Sequence, residues 1–304
     1  MSSFNDQFIY SIVIIAAGYI LKKMHVIKEE DGEGLARIIF NITLPALILV
    51  TFNDFVMEYS LFLLVIISFA YGLLAAMLGV LLFKGNPSRH AKGMLSMMVP
   101  GFNIGLFAFP LVEGIWGREG IQHFVMFDVG NSFIVFGICY FIGSHYAGEE
   151  TRLDIKTMLL KMTRSIPLMT YIVVLMLNLS GLKLPSFIVE TADIISYANM
   201  PLSLLLLGIY LNFTIEKKYL RLLFHYMAMK YGLGIFAGFA LFFLLPFDDM
   251  FNYTVLIGLI LPAAMSVLPY AVEFNYDKRF IGTVSNLTII TSFMLIWIIA
   301  NFMI

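Results

Sequence analysis

Two stretches of this chain place prolines, glycines and single polar residues inside otherwise apolar runs. One reads Met98-Val-Pro100-Gly101-Phe-Asn103-Ile-Gly105-Leu-Phe-Ala-Phe-Pro110, and the other Leu261-Pro262-Ala-Ala-Met-Ser266-Val-Leu-Pro269-Tyr270. An interior proline removes an amide donor and clashes with the carbonyl four residues back, which costs about 3 kcal/mol in a continuous helix. The first stretch is therefore expected to unwind between Asn103 and Pro110, and the second between Ala264 and Tyr270. Proline is favoured in a first helical turn, so Pro110 and Pro269 can each restart a half-helix. Such an N-terminus presents free amides and roughly half a positive charge. Two of them meeting would hold an anion without a buried Lys or Arg. Asn103 adds a donor and an acceptor at the break. The expected substrate-binding set is Asn103, Gly105, Pro110, Ser266, Pro269 and Tyr270, together with Asn41 and Asn199. The last two either line the path or satisfy carbonyls freed by Pro45 and Pro201.

The remaining polar residues within apolar runs each carry two readings. Asp128, with Asn131 one turn along, either binds a coupling proton or cation or braces the helix packing. Asn286, beside Ser285 and Thr288, is its counterpart late in the chain. Lys230 follows Arg221 closely, so it either snorkels to the cytoplasmic interface or takes a substrate or gating role. Cys139, the single cysteine, reads as an inert packed thiol. There is no His-Glu-x-x-His, no Gly-x-Ser-x-Gly and no phosphate-binding Gly-x-x-x-x-Gly-Lys, so no enzyme activity, cofactor or resident metal is expected.

The elements that must position these residues follow from composition. Of 304 residues, 60% are hydrophobic and 13% charged, with a mean hydropathy of +0.90, far more apolar than a soluble core can hide. A net charge of −1 gives no field to recruit nucleic acid. Ten apolar segments, about 5–22, 35–53, 59–83, 93–115, 121–146, 166–182, 187–213, 221–245, 253–273 and 280–301, can each cross a layer ~30 Å thick as a helix. Sixteen of the nineteen Lys and Arg fall in the loops after spans 1, 3, 5, 7 and 9, which puts both termini outside the cell membrane. Ten spans divide into five and five: a first repeat at 1–146, a cytoplasmic amphipathic linker at 147–165, and a second repeat at 166–304. Five is odd, so the second half enters from the opposite side. Asn41 to Pro45 in span 2 parallels Asn199 to Pro201 in span 7, and the proline pairs of spans 4 and 9 correspond. An inverted repeat with interrupted spans at matching positions points to a secondary transporter.

The motifs also resemble a known family. Asn41-x-x-x-Pro45, then Pro100-x-x-Asn103-x-Gly105-x-x-x-x-Pro110 and Trp116-Gly-x-x-Gly120, are similar to those of the auxin efflux carriers. That family includes plant PIN-formed proteins and bacterial malonate and malate permeases. The resemblance implies a fold like that of bile-acid symporters and sodium/proton antiporters, with spans 4 and 9 broken and crossing. It implies crossover prolines at Pro110 and Pro269, and substrate at Asn103; Pro100 and Pro262, the partners of those prolines in the two broken spans, complete the expected crossover set. Spans 1, 2, 6 and 7 would form a scaffold and homodimer interface, and spans 3–5 and 8–10 a transport domain moving as an elevator. Ile166-Pro167 stands where plant members often carry Asn-Pro, which favours a small carboxylate over auxin itself. The expectation is thus a secondary carrier for an organic anion. The alternatives are a symporter or exchanger coupled to H+ or Na+ through Asp128, and a membrane receptor that moves nothing.

Overall fold

The structure, a computed structural model, describes residues 4–53, 58–86, 88–147, 155–212 and 219–303. Among these residues every regular element is helical, with no strand and one isolated antiparallel bridge. In chain order the first helices are α1 (Phe4–Lys23), α2 (Asp31–Ile38), α3 (Leu44–Asn53), α4 (Phe62–Phe83) and α5 (Arg89–Met98). Next come α6 (Phe109–Phe133), α7 (Tyr140–Ala147), α8 (Ile155–Arg164), α9 (Ile166–Ser180) and α10 (Ser186–Ser196). The last are α11 (Asn199–Tyr210), α12 (Leu220–Leu244), α13 (Asp249–Gly258), α14 (Val267–Glu273) and α15 (Lys278–Met303).

Local chemistry sets the helix starts. Ser88 Oγ accepts from Ala91 N, Ser165 Oγ from Leu168 N, and Asp248 Oδ1 from Phe251 N, each satisfying a first-turn amide. Pro45 and Pro110 follow π-helical turns at Ile39–Thr43 and Ile104–Ala108. The wider π turn absorbs a residue with no N–H, so the helix continues past each proline. Within the linker expected at 147–165, residues 155–164 form α8, while 148–154 lie outside the described residues.

Among the described residues, six helical runs are long and apolar enough to cross a membrane: Asp31–Asn53, Tyr59–Phe83, Ile104–Ala147, Ser186–Tyr210, Leu220–Leu244 and Lys278–Met303. The run Ile104–Ala147 is 44 residues long, about twice what a ~30 Å layer needs. It turns at Gly117, whose φ of 62° suits a residue without a Cβ. The chain is therefore an all-α, multi-pass membrane protein.

Contacts divide the chain into two compact units. The first comprises Met1–Leu61, Ile104–Val125 and Thr163–Leu211. Here α1 and α11 approach backbone to backbone: a Cβ at Gly18 would lie 2.3 Å from Leu205 O, and one at Gly208 2.0 Å from Ile15 O. Small residues permit such approaches between membrane helices. An ion pair of 2.5 Å joins Arg118 and Asp193.

The second unit comprises Phe62–Asn103, Met126–Met162 and Asn212–Ile304. In it Gly234 and Gly238 form a close contact between α12 and α13; a Cβ at Gly234 would meet Leu259 O at 2.2 Å. This unit contains both helix interruptions.

Candidate functional site

Two interruptions meet within the second unit. The first lies between Met98, the last residue of α5, and Ile104, where helical geometry resumes. The second lies between Gly258, the end of α13, and Val267, the start of α14. Their extended segments run antiparallel, with Phe102 bridged to Ala263. Asn103 N donates to Pro262 O at 3.0 Å and Ala264 N to Gly101 O at 3.3 Å.

A backbone unwound in a membrane must find internal partners for its polar groups. On the first segment, Tyr226 Oη donates to Met98 O at 2.9 Å. Lys230 Nζ donates to Val99 O at 3.2 Å and Gly101 O at 3.3 Å. Asn131 takes both groups of Phe102: its Oδ1 accepts from Phe102 N at 2.9 Å and its Nδ2 donates to Phe102 O at 3.1 Å. The same Nδ2 donates to Asp128 Oδ1 at 2.9 Å. On the second segment, Thr288 Oγ1 accepts from Ala263 N at 3.2 Å, and Ser292 Oγ donates to Ile260 O at 2.7 Å. Tyr231 Oη holds both of those residues of α15, reaching Thr288 O and Ser292 Oγ.

The Phe102 ring stacks on Tyr71 and tilts against Phe127, and Lys230 Nζ sits 4.4 Å above its centre. Packing at the crossing is tight. A Cβ on Gly101 would lie 2.9 Å from Val135 Cγ2 and 3.2 Å from both Ala264 Cβ and Cys139 Sγ. Cys139 is fully enclosed, as an inert packed thiol should be. Asn103 is 5% exposed, and its Nδ2 has no hydrogen-bond partner among the described residues.

Several expectations need correction. The first break lies N-terminal to Asn103 rather than between Asn103 and Pro110: Val99 is still helical, but Pro100 has no N–H to extend the ladder and Gly101 allows the close crossing. Pro110 lies inside a helix after its π turn and restarts nothing. The second break begins at Leu259, earlier than expected, and α14 starts at Val267 with Pro269 exposed in its first turn. The prolines at the crossing are thus Pro100 and Pro262. Lys230 does not snorkel: it is 2% exposed, because the freed carbonyls lie opposite its face of α12. Asn41 and Asn199 are not equivalent, since Asn41 is exposed on its π turn whereas Asn199 is fully buried and accepts from Thr43 Oγ1 at 3.1 Å.

Other candidates fall elsewhere. Ser266 is half-buried just before α14 and caps nothing with its side chain. Tyr270 is buried, with its ring against Tyr140 and its hydroxyl on Val135 O. Asn286 donates to Asn212 O at 3.0 Å. Gly105, Pro110, Asn41 and Asn199 belong to the first unit. Sequence reasoning passed over Phe102, Tyr226, Tyr231 and Ser292. A usable signal was present: Tyr226 and Lys230, like Thr288 and Ser292, stand four residues apart on one helix face.

Similarity to known proteins points to membrane transport. The family model described as “Membrane transport protein” matches residues 6–300. An uncharacterized transporter of Methanocaldococcus jannaschii is 25% identical over 97% of this chain and 99% of its own length. A second uncharacterized transporter, from Methanothermobacter thermautotrophicus, is 29% identical over 66% of each chain.

Proposed function

The chain belongs to the family of membrane transport proteins, and on that premise we propose that it is a secondary transporter for a small organic anion. It is a transporter and not an enzyme. The proposed substrate is a carboxylate of the malonate, malate or auxin type, held where the two interrupted spans cross. The observation that carries this reading is Asn103, whose side chain is buried at the crossing with an amide Nδ2 that meets no acceptor among the described residues. A buried donor left unmatched costs free energy, and a carboxylate oxygen would relieve that cost on binding.

In this proposal the chain makes ten passes as two inverted repeats of five, in the cell membrane, with both termini outside. The distribution of Lys and Arg and the antiparallel meeting of the two breaks support it. Spans 1, 2, 6 and 7 act as the scaffold and homodimer surface, and spans 3–5 and 8–10, which include the crossing, act as the part that moves. The grouping of residues 1–61 with 163–211 in one unit supports the first set; the same unit also takes in Ile104–Val125, from spans 4 and 5. A second reading, coupling to H+ or Na+ through Asp128, draws on the burial of that carboxylate one residue pair behind Phe102.

The test is charge movement or isotope uptake in proteoliposomes presented with malonate, malate and indole-3-acetate. Saturable flux of one compound that is lost in Asn103→Ala is the expected result. Equal flux in the variant would remove Asn103 from the site, and no flux of any carboxylate in either direction would end the anion-carrier reading.

A further inference from the structure

Among the described residues, Lys230 is the buried lysine that the carrier reading leaves without a task. It is 2% exposed, and among the described residues it forms no ion pair; the pairs there are Lys22 with Glu29 and Arg118 with Asp193. A buried charge without a counter-charge must be held by dipoles. Its surroundings supply them: Val99 O at 3.2 Å, Gly101 O at 3.3 Å, and the face of the Phe102 ring at 4.4 Å. Carbonyl oxygens freed by an interrupted span, together with an aromatic face, are the ligands with which membrane proteins hold a small monovalent cation. Gly101 contributes its carbonyl while also accepting from Ala264 N, so the ammonium touches the crossing itself. Tyr226, one turn earlier on α12, takes Met98 O and fixes the register of the lysine against the break. The nearby carboxylate, Asp128, is instead engaged with Asn131.

We propose that the Lys230 ammonium is a tethered cation: it occupies, on a covalent stalk, the place at the span 4 interruption that a dissociable alkali cation would otherwise take. The inference rests on the carrier reading for what this charge serves, namely transport that needs no Na+ or K+. A lysine that only completed hydrogen bonds would make no such difference to ion dependence.

The experiment compares the whole purified chain with Lys230→Ala by thermal unfolding in NaCl, KCl, methylammonium chloride and N-methylglucamine chloride at equal ionic strength. Wild-type protein should unfold at the same temperature in all four. Lys230→Ala opens a cation-sized hole lined by the same carbonyls, so its midpoint should be lower in N-methylglucamine. It should rise saturably, by roughly 3 °C or more, with methylammonium, Na+ or K+. Specific stabilisation of the wild type by Na+ or K+ overturns the proposal, as does a folded Lys230→Ala that responds to none of the small cations. If that variant does not fold, wild-type carboxylate uptake with N-methylglucamine replacing all alkali cations decides: unchanged uptake supports the tethered cation, and its loss overturns it. The unfolding measurements require no flux, so a chain that moves no carboxylate would end the carrier reading while this result stood by itself.

Discussion

Asn131 and Thr288 hold bridged partners: Asn131 takes both backbone groups of Phe102, and Thr288 takes the N–H of Ala263. One follows the span 4 interruption in the chain and the other follows the span 9 interruption. They are unequal at the crossing, because Asn131 meets two backbone groups of its bridged residue whereas Thr288 meets one of Ala263 and gives its hydroxyl proton to Ser285 O within α15. Asn131→Ala should therefore cost about 2–5 kcal/mol of stability, against about 1–3 kcal/mol for Thr288→Val, which keeps the side-chain shape. Unfolding of the purified variants measures both, and equal costs would mean that the bridge does not depend on these side chains.

Asn103→Ala should behave differently from either. Its amide Nδ2 makes no hydrogen bond within the described protein, so removing it should leave the unfolding midpoint unchanged or slightly raised. Carboxylate flux should fall roughly tenfold or more, the worth of about one charge-assisted hydrogen bond. A large loss of stability would reassign Asn103 to a structural role.

Asp128→Asn separates two roles for one carboxylate. Asparagine keeps an oxygen to accept from Asn131 Nδ2, so a brace survives the change while an ion site does not. Flux within about twofold of wild type, at every Na+ concentration, is expected from the geometry. Loss of flux with an unaltered midpoint would instead make Asp128 the coupling site.

Orientation can be read by cysteine labelling, because the single native thiol, Cys139, is fully buried and silent. Lys183→Cys should react with a membrane-impermeant maleimide in intact cells. Lys84→Cys should react only after permeabilisation. The reverse pattern would invert the topology drawn from the basic loops.

How far the sequence alone reaches differs between features. Apolar runs and proline pairs announced interrupted spans, because bilayer length and a missing N–H are local facts. The position of the first break was not local. Pro100 opens it where Tyr226 and Lys230 stand ready to take Met98, Val99 and Gly101 carbonyls, partners more than a hundred residues away in the chain. Lys230 was ambiguous for the same reason: its distance from Arg221 suggested an interface, and only the opposing carbonyls turn it inward. The Asp128–Asn131 pair was legible as a spacing, but its clamp on Phe102 was not. The likeness of Asn41 to Asn199 misled, since a π turn exposes one and packing beside Thr43 encloses the other.

The bridge between Phe102 and Ala263 also sets a timetable for biosynthesis. Its two halves are separated by about 160 residues, which a ribosome takes roughly 8–30 s to make at ~5–20 residues per second. Through that interval the nascent span 4 carries bare carbonyls at Met98, Val99 and Gly101, and water or the insertion machinery must shelter them until α12 and the span 9 segment emerge. A chain stalled or truncated just before Tyr226 therefore leaves those three carbonyls without their α12 partners.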